Sequence, residues 1–332
     1  MDDRRRFDLV SIGDSTIDTF IKIHDATVEC DINHVDCKIC LGYGDKIPVD
    51  SIAHGVAGNA ANVAVGASKL GLISAIYTNL GDDEYGKSIK LALKNENVAG
   101  DYIKINKNRE SNLSVVLTFQ KERTIFVYHQ DWDYSLPVLT NCSWVYLTSM
   151  AQSFVKSSIM AEIVSFVKKT GAKLAFGPGT YQLKHDIKKY PALLEASELL
   201  IANMCEAKTI LGIDQIEIVD PADLLSRLLL LGPKTAVITD GAQGSYASDG
   251  NRNLKVAALP ATLVEKTGAG DAYASGLISA LSAGEAFQEA MVWGALNASS
   301  VIGKTGAQNG LLTKTELVEL RKKHPKLIAV NF

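Results

Sequence analysis

The sequence predicts an α/β protein, a three-layer α/β/α sandwich around a mostly parallel central sheet, with a small β-sheet lid. Short, β-branched apolar runs alternate with segments of helical spacing over most of the chain. The runs are apolar at successive positions, as strands covered on both faces require. Two stretches break this rhythm with period-two patterns, the mark of a separate sheet.

Taken in order, FDLVSIG (7–13) is the first such strand, and NVAVGASKLG (62–71) the first helical segment. In SSIMAEIVSFVKKTG (157–171), Ile159, Ile163 and Val167 recur every four residues and Gly171 is a natural stop. KLAFGPG (173–179), ELLIANM (198–204) and TAVITDG (235–241) read as further buried strands ending in turn residues. DLLSRLLLLG (223–232), AFQEAMVWGALNASSVIG (286–303) and TKTELVELRKKH (313–324) complete the helical set. Alternation of this kind places ligands outside the carboxyl ends of the strands. The interrupting stretches, 18–52 and 101–135, hold DTFIKIHDATVEC and SVVLTFQKERTIFVYHQ. In the second, Val115, Leu117 and Phe119 share one face and Val116, Thr118 and Gln120 the other. These two stretches form the lid; 1–17, 53–100 and 136–332 form the main α/β domain.

Over 332 residues the formal net charge is −3 and 47% of residues are hydrophobic. A balance so near neutrality gives no reason to expect nucleic acid or an anionic membrane as partner. The longest apolar run, LLSRLLLLG (224–232), is broken by Arg227 and is far short of the ~18 residues of a membrane span. The opening MDDRRRFDLVSIG lacks the apolar core of a secretory signal, so a soluble, cytoplasmic protein is expected. Five cysteines, an odd number, do not suggest a disulfide framework. Cys30, His34, Cys37 and Cys40 have spacings that suit a structural tetrahedral zinc site, with His24 as an outside ligand. The alternative is a set of partly buried thiols with His34 at a turn.

The chemistry centres on VEKTGAGDAYASG (264–276). Tyr273, Leu277, Ile278 and Leu281 give helical spacing after Asp271, so Gly268, Ala269 and Gly270 open a helix. A helix N-terminus offers unpaired N–H groups and partial positive charge, and glycine lets an anion approach them closely. Asp271 is then either an N-cap or a functional carboxylate. In the functional reading, the amides of 268–271 stabilise a phosphoryl group in flight, and the carboxylate accepts the proton of an attacking hydroxyl. No GxxxxGK[ST] loop and no HRD or DFG set is present, so the P-loop and protein-kinase routes lack support.

TGAGDAYASG, with AGNAANVAVGASKLG (57–71), GDDEYG (81–86), the strand end Gly13-Asp14-Ser15-Thr16-Ile17-Asp18, NMCE (203–206) and TDGAQG (239–244), resembles the ribokinase-like (PfkB-type) carbohydrate kinases. The matches fall in that family's order between residue 7 and about residue 310. The resemblance implies Asp271 as catalytic base and Gly268, Ala269 and Gly270 as anion hole. It implies Asp18, Gly58, Asn59 and Asn62 on substrate hydroxyls, and Thr239, Gly241 and Gly244 along ATP. Asn203 and Glu206 would organise Mg²⁺ and the ATP phosphates, Glu206 through water. The family has Asp-Thr-Thr where this chain has Glu265-Lys266-Thr267, so Glu265 is the candidate for a K⁺ site, and Lys266 either meets phosphate or stays in solvent. A homodimer through the lid is also implied.

The expected activity is ATP-dependent phosphorylation of a sugar hydroxyl, of the ribokinase or fructokinase type. A nucleoside kinase would need stacking residues, for which Phe126, Tyr128, Trp132 and Tyr134 are the candidates. A sugar phosphate would call for a basic group near Asp18, and Lys22 is the one visible in sequence. A dinucleotide oxidoreductase fails because GDSTID, not GxGxxG, follows the first strand. A non-catalytic sugar sensor stays open, since fold does not fix function.

Overall fold

The computed structural model describes residues 7–31, 37–120 and 122–332. Its main sheet contains β1 (Phe7–Ile12), β6 (Ser74–Gly81), β7 (Ala99–Asn106), β10 (Cys142–Leu147), β11 (Lys173–Phe176), β12 (Ser197–Asn203), β13 (Thr235–Thr239), β14 (Ser245–Ser248), β15 (Asn253–Val256) and β16 (Val330–Asn331). The spatial order is β16-β15-β14-β13-β12-β11-β10-β1-β6-β7. From β7 to β13 every pairing is parallel, and β14 to β16 continue antiparallel. A second sheet, β5-β2-β8-β9, is built from β2 (Thr16–Lys22), β5 (Ser51–Ala57), β8 (Leu113–Phe119) and β9 (Glu122–Tyr128). The hairpin of β3 (Thr27–Cys30) and β4 (Cys37–Cys40) stands apart.

Strand side chains alternate, so a sheet covered on both faces must feed two cores. Along β12, Leu200 and Ala202 enter one core while Leu199 and Ile201 enter the other. In β13, Ala236 and Ile238 oppose Val237 in the same way. The first core is closed by α3 (Ile159–Thr170), α5 (Pro191–Ala196), α6 (Met204–Leu211) and α7 (Pro221–Leu229), with the short α4 (Thr180–Lys184) beside them. The second is closed by α1 (Asn59–Lys69), α8 (Ala269–Ser282), α9 (Phe287–Val301) and α10 (Lys314–Lys323). Ile89 and Leu93 of α2 (Glu84–Asn95) join Ile17 and Ile76 in a smaller cluster. The three-layer sandwich expected from the sequence is therefore present.

The structure departs from the sequence reading at two points. Residues 99–106, assigned to the lid from 101 onward, form the edge strand of the main sheet, because β7 pairs with β6. Cys30 and Cys37 face each other across β3 and β4 and are joined as a disulfide. Their sulfurs are thus not available as zinc thiolates, and the expected zinc site does not form from this set. Cys40 is a free thiol, His34 lies outside the described residues, and His24 pairs with Asp50. Among the described residues no group of three or more His, Cys, Asp or Glu is placed to hold a metal ion, and no helix is long and apolar enough to cross a membrane.

Candidate active site

The glycine turn caps α8, as the spacing predicted. Gly268 is the N-cap with φ 81°, and a Cβ there would lie 2.7 Å from the backbone of Ala307, so glycine alone fits. Ala269 and Gly270 are the first residues of the helix, and Asp271 sits buried in its first turn. No side chain caps the helix, which removes the simple N-cap reading of Asp271.

The N-terminus of α1 arrives at the same point. Gly58, its N-cap, has φ 96° and packs so closely that a Cβ would meet Asp14 O at 2.5 Å. Asn59 Nδ2 then donates to Asp271 Oδ1 at 3.0 Å, and Asn62 Nδ2 to Asp271 Oδ2 at 2.8 Å. Gln308 fixes the Asn62 amide by donating to its Oδ1 at 3.0 Å. Burial pushes the Asp271 carboxyl up to about 7, opposed by the Asn62 and Asn59 hydrogen bonds and assisted by the charges of Glu206 and Asp18.

Asp18, on β2, is buried and faces the same region; burial raises it to about 6, against a hydrogen bond from Ser114. Glu265 raises it further, while Arg123 and His129 pull it down. Asp18 Oδ1 has no hydrogen-bond partner among the described residues. Glu265 is held by one oxygen, Oε2 accepting from Gly306 N at 2.9 Å, while Oε1 is buried without a hydrogen-bond partner among the described residues.

Asn203 and Glu206 form a reciprocal capping box at the start of α6, with N···O distances of 2.9 and 2.8 Å. Burial raises the Glu206 carboxyl. Thr239, the last residue of β13, and Gly241 and Gly244 beyond it line a cavity of about 570 Å³. Tyr273, Ala269 and Gly270 also line it, so the cavity reaches the glycine turn. Lys266 stands at this cavity and pairs with Glu122 at 3.3 Å.

Three neighbours were not among the residues singled out in the sequence. Asp14 is buried and accepts from Tyr134 Oη at 2.8 Å and Ala151 N at 2.9 Å, with His129 Nδ1 3.5 Å away. His129 also influences Asp18. Arg123 crosses from β9 to donate to Thr267 Oγ1 at 2.8 Å, next to the glycine turn. Only Asp14 left a trace in the sequence, as the acid after the strand-ending Gly13.

The site thus combines a buried carboxylate in the first turn of a helix, a second buried acid near enough to influence it, and an apolar cavity beside the glycine turn. The pfkB family carbohydrate kinase model matches residues 19–314, and the chain belongs to that family. It is a carbohydrate kinase, and the family implies ATP and usually Mg²⁺. The chain is 24% identical over 305 residues to the ATP-dependent 6-phosphofructokinase of Thermoanaerobacterium thermosaccharolyticum, covering 88% of this chain and 87% of that one. It is 28% identical over 267 residues to the ribokinase of Bacillus subtilis, covering 79% and 86%. The structure of Arabidopsis thaliana ribokinase complexed with ribose and ATP superposes with a TM-score of 0.81 at 21% identity, over 96% of this chain and 99% of that one. That likeness carries the fold.

Proposed function

We propose that the protein transfers the terminal phosphoryl group of ATP to a sugar hydroxyl, with Asp271 as general base and the amides of 268–271 as anion hole. The observation that carries this reading is the raised, buried Asp271 between two asparagine amides and at the N-terminus of α8. A base titrating near neutrality can take a hydroxyl proton and release it again at working pH. The N–H groups beside it are oriented before the reaction and favour the charge of the migrating phosphoryl group.

Asp18 accepts from a substrate hydroxyl through its unpartnered Oδ1, and the turn at Gly58 brings the Asn59 and Asn62 amides within reach of neighbouring hydroxyls. The nucleotide lies along Thr239, Gly241 and Gly244, its base in the apolar cavity and its phosphates toward Gly270. Glu206 fits Mg²⁺ held through water, since that ion keeps most of its hydration and needs few carboxylates; when bound, it neutralises phosphate charge. The buried free oxygen of Glu265 suits a monovalent cation such as K⁺. The small sheet acts as a lid that excludes water from the transfer.

A sugar is favoured over a nucleoside by the placement of the aromatic residues. Trp132 and Tyr134 are buried in the first core, and Phe126 and Tyr128 lie on the face of the small sheet away from Asp18. The relatives are named for ribose and for 6-phosphofructose, both sugars. That outer face also exposes Ile52, Phe126 and Tyr128, which fits pairing with a second copy through the lid. A screen of ATP consumption over pentoses, hexoses, nucleosides and sugar phosphates, with and without K⁺, tests the proposal; turnover of nucleosides alone would refute it.

A further inference from the structure

In the small sheet, Asp18 lies opposite Gly55, and Lys22 opposite Ser51 at the far end of the same two strands. Beyond Lys22 the chain leaves the sheet and returns to it at Ser51. The base of this connection is closed by Asp50 N donating to Lys22 O at 2.8 Å and by the pairing of His24 with Asp50. The β3–β4 hairpin is carried within it and pairs with no other strand among the described residues. Ile21, Ala26, Ile39 and Ile47 pack against the buried Ile23, Leu117 and Phe119. Leu117 lies opposite Ile21 and Ser114 opposite Asp18, so alternation places Ile21, Leu117 and Phe119 on the face away from Asp18.

We propose that the Cys30–Cys37 disulfide is a redox-controlled staple: a dithiol reductant opens it, the hairpin loosens from the small sheet, and affinity for the acceptor falls. The inference goes beyond the phosphoryl transfer proposed above and rests on that reading only in giving Asp18 to the acceptor.

A two-stranded hairpin alone is marginally stable in water. Four cross-strand pairs and one side chain of its own in the apolar cluster, Ile39, hold this one, so the covalent link contributes much of its order. Cys30 and Cys37 are both exposed, which lets a thiolate reach either sulfur. One thiolate of the dithiol attacks a sulfur of the pair, the S–S bond breaks and a mixed disulfide forms. The second thiolate of the dithiol then displaces the cysteine held in it. Two electrons pass to the protein, the dithiol leaves as a disulfide, and its two protons end on Cys30 and Cys37. With the link open the hairpin frays, and Ile39 no longer covers Ile23, Leu117 and Phe119 continuously. Leu117 and Phe119 belong to β8, whose Ser114 hydrogen-bonds Asp18, and Ile23 directly follows β2, which carries Asp18. Loosening there leaves the acceptor an ordered site for a smaller fraction of the time.

The full native chain is compared before and after treatment with dithiothreitol. Alkylation of the denatured chain should mark two more cysteines after reduction, Cys30 and Cys37. Hydrogen exchange should quicken in β2 and β8 and stay unaltered in β12 and β13 of the main sheet. KM for the acceptor found in the screen above should rise ~3–10-fold, as follows when the ordered lid is populated for about a third to a tenth of the time. KM for ATP and kcat should hold, and reoxidation should restore the original acceptor KM. The double variant Cys30→Ser, Cys37→Ser should behave as the reduced chain under both conditions. An equal number of alkylated cysteines, unaltered exchange in β2 and β8, an acceptor KM indifferent to reduction, or a reductant response that persists in the double variant would each overturn the proposal. A screen that yields no acceptor sinks the proposed activity instead, and the exchange data then still decide whether the staple controls the small sheet.

Discussion

Asp271 titrates near neutrality because burial penalises its charge more than two amides relieve it, and two consequences follow with opposite signs. In the proposed role of base it works only when ionised, so kcat/KM should fall tenfold per pH unit below about pH 7. A pH–rate profile flat from pH 5 to pH 8 would contradict this. Stability runs the other way. The unfolded carboxyl loses its proton near 3.8 and the folded one near 7, so the folded chain binds the extra proton between those values. The contribution of this group to stability therefore declines as pH rises through that window. Asp271→Asn removes that decline, so its Tm relative to the unmodified chain should improve from pH 5 to pH 8. The same variant should lose ~10²–10⁴-fold in kcat with little change in sugar affinity, checked by steady-state kinetics and calorimetry.

At the scale of elements, the position of Asp271 depends on how α8 seats against α9. Gly276 brings the backbones so close that a Cβ would meet Trp293 O at 2.7 Å, and Gly294 answers from α9 against the Tyr273 ring. Asn297 pins the start of α8 by donating to Ala272 O at 2.9 Å and accepting from Leu312 N at 3.0 Å. Gly276→Ala should force the helices apart, cost ~1–3 kcal/mol and lower kcat by displacing the first turn. Thermal unfolding together with kinetics checks this; an unshifted Tm would show that the contact yields freely. Most elements were legible in sequence because their apolar period is local. The helix read over 157–171 forms as Ile159–Thr170, and the strand read over 235–241 as Thr235–Thr239. What was not legible depended on pairing across distance. An alternating run at 101–106 reads alike whether it joins the main sheet or the small one. The partners of Asp14 and the reach of Arg123 connect residues 120 and 144 positions apart, beyond any local pattern. The glycine turn was readable because its geometry is confined to four consecutive residues.

For the whole molecule, the two faces of the small sheet differ: Asp18 lies on one, and the other exposes Ile52, Phe126 and Tyr128, which in the proposed reading meet a second copy. Phe126→Glu on the outer face should shift the sedimenting species from dimer to monomer, and an unchanged mass would refute pairing there. The order in which the chain is made also matters. The clasp around Asp271 joins side chains 212 and 209 positions apart. A ribosome therefore releases the asparagines long before the acid they hold, and in the proposed reading an unfinished chain has no means of spending ATP until α8 has emerged and docked.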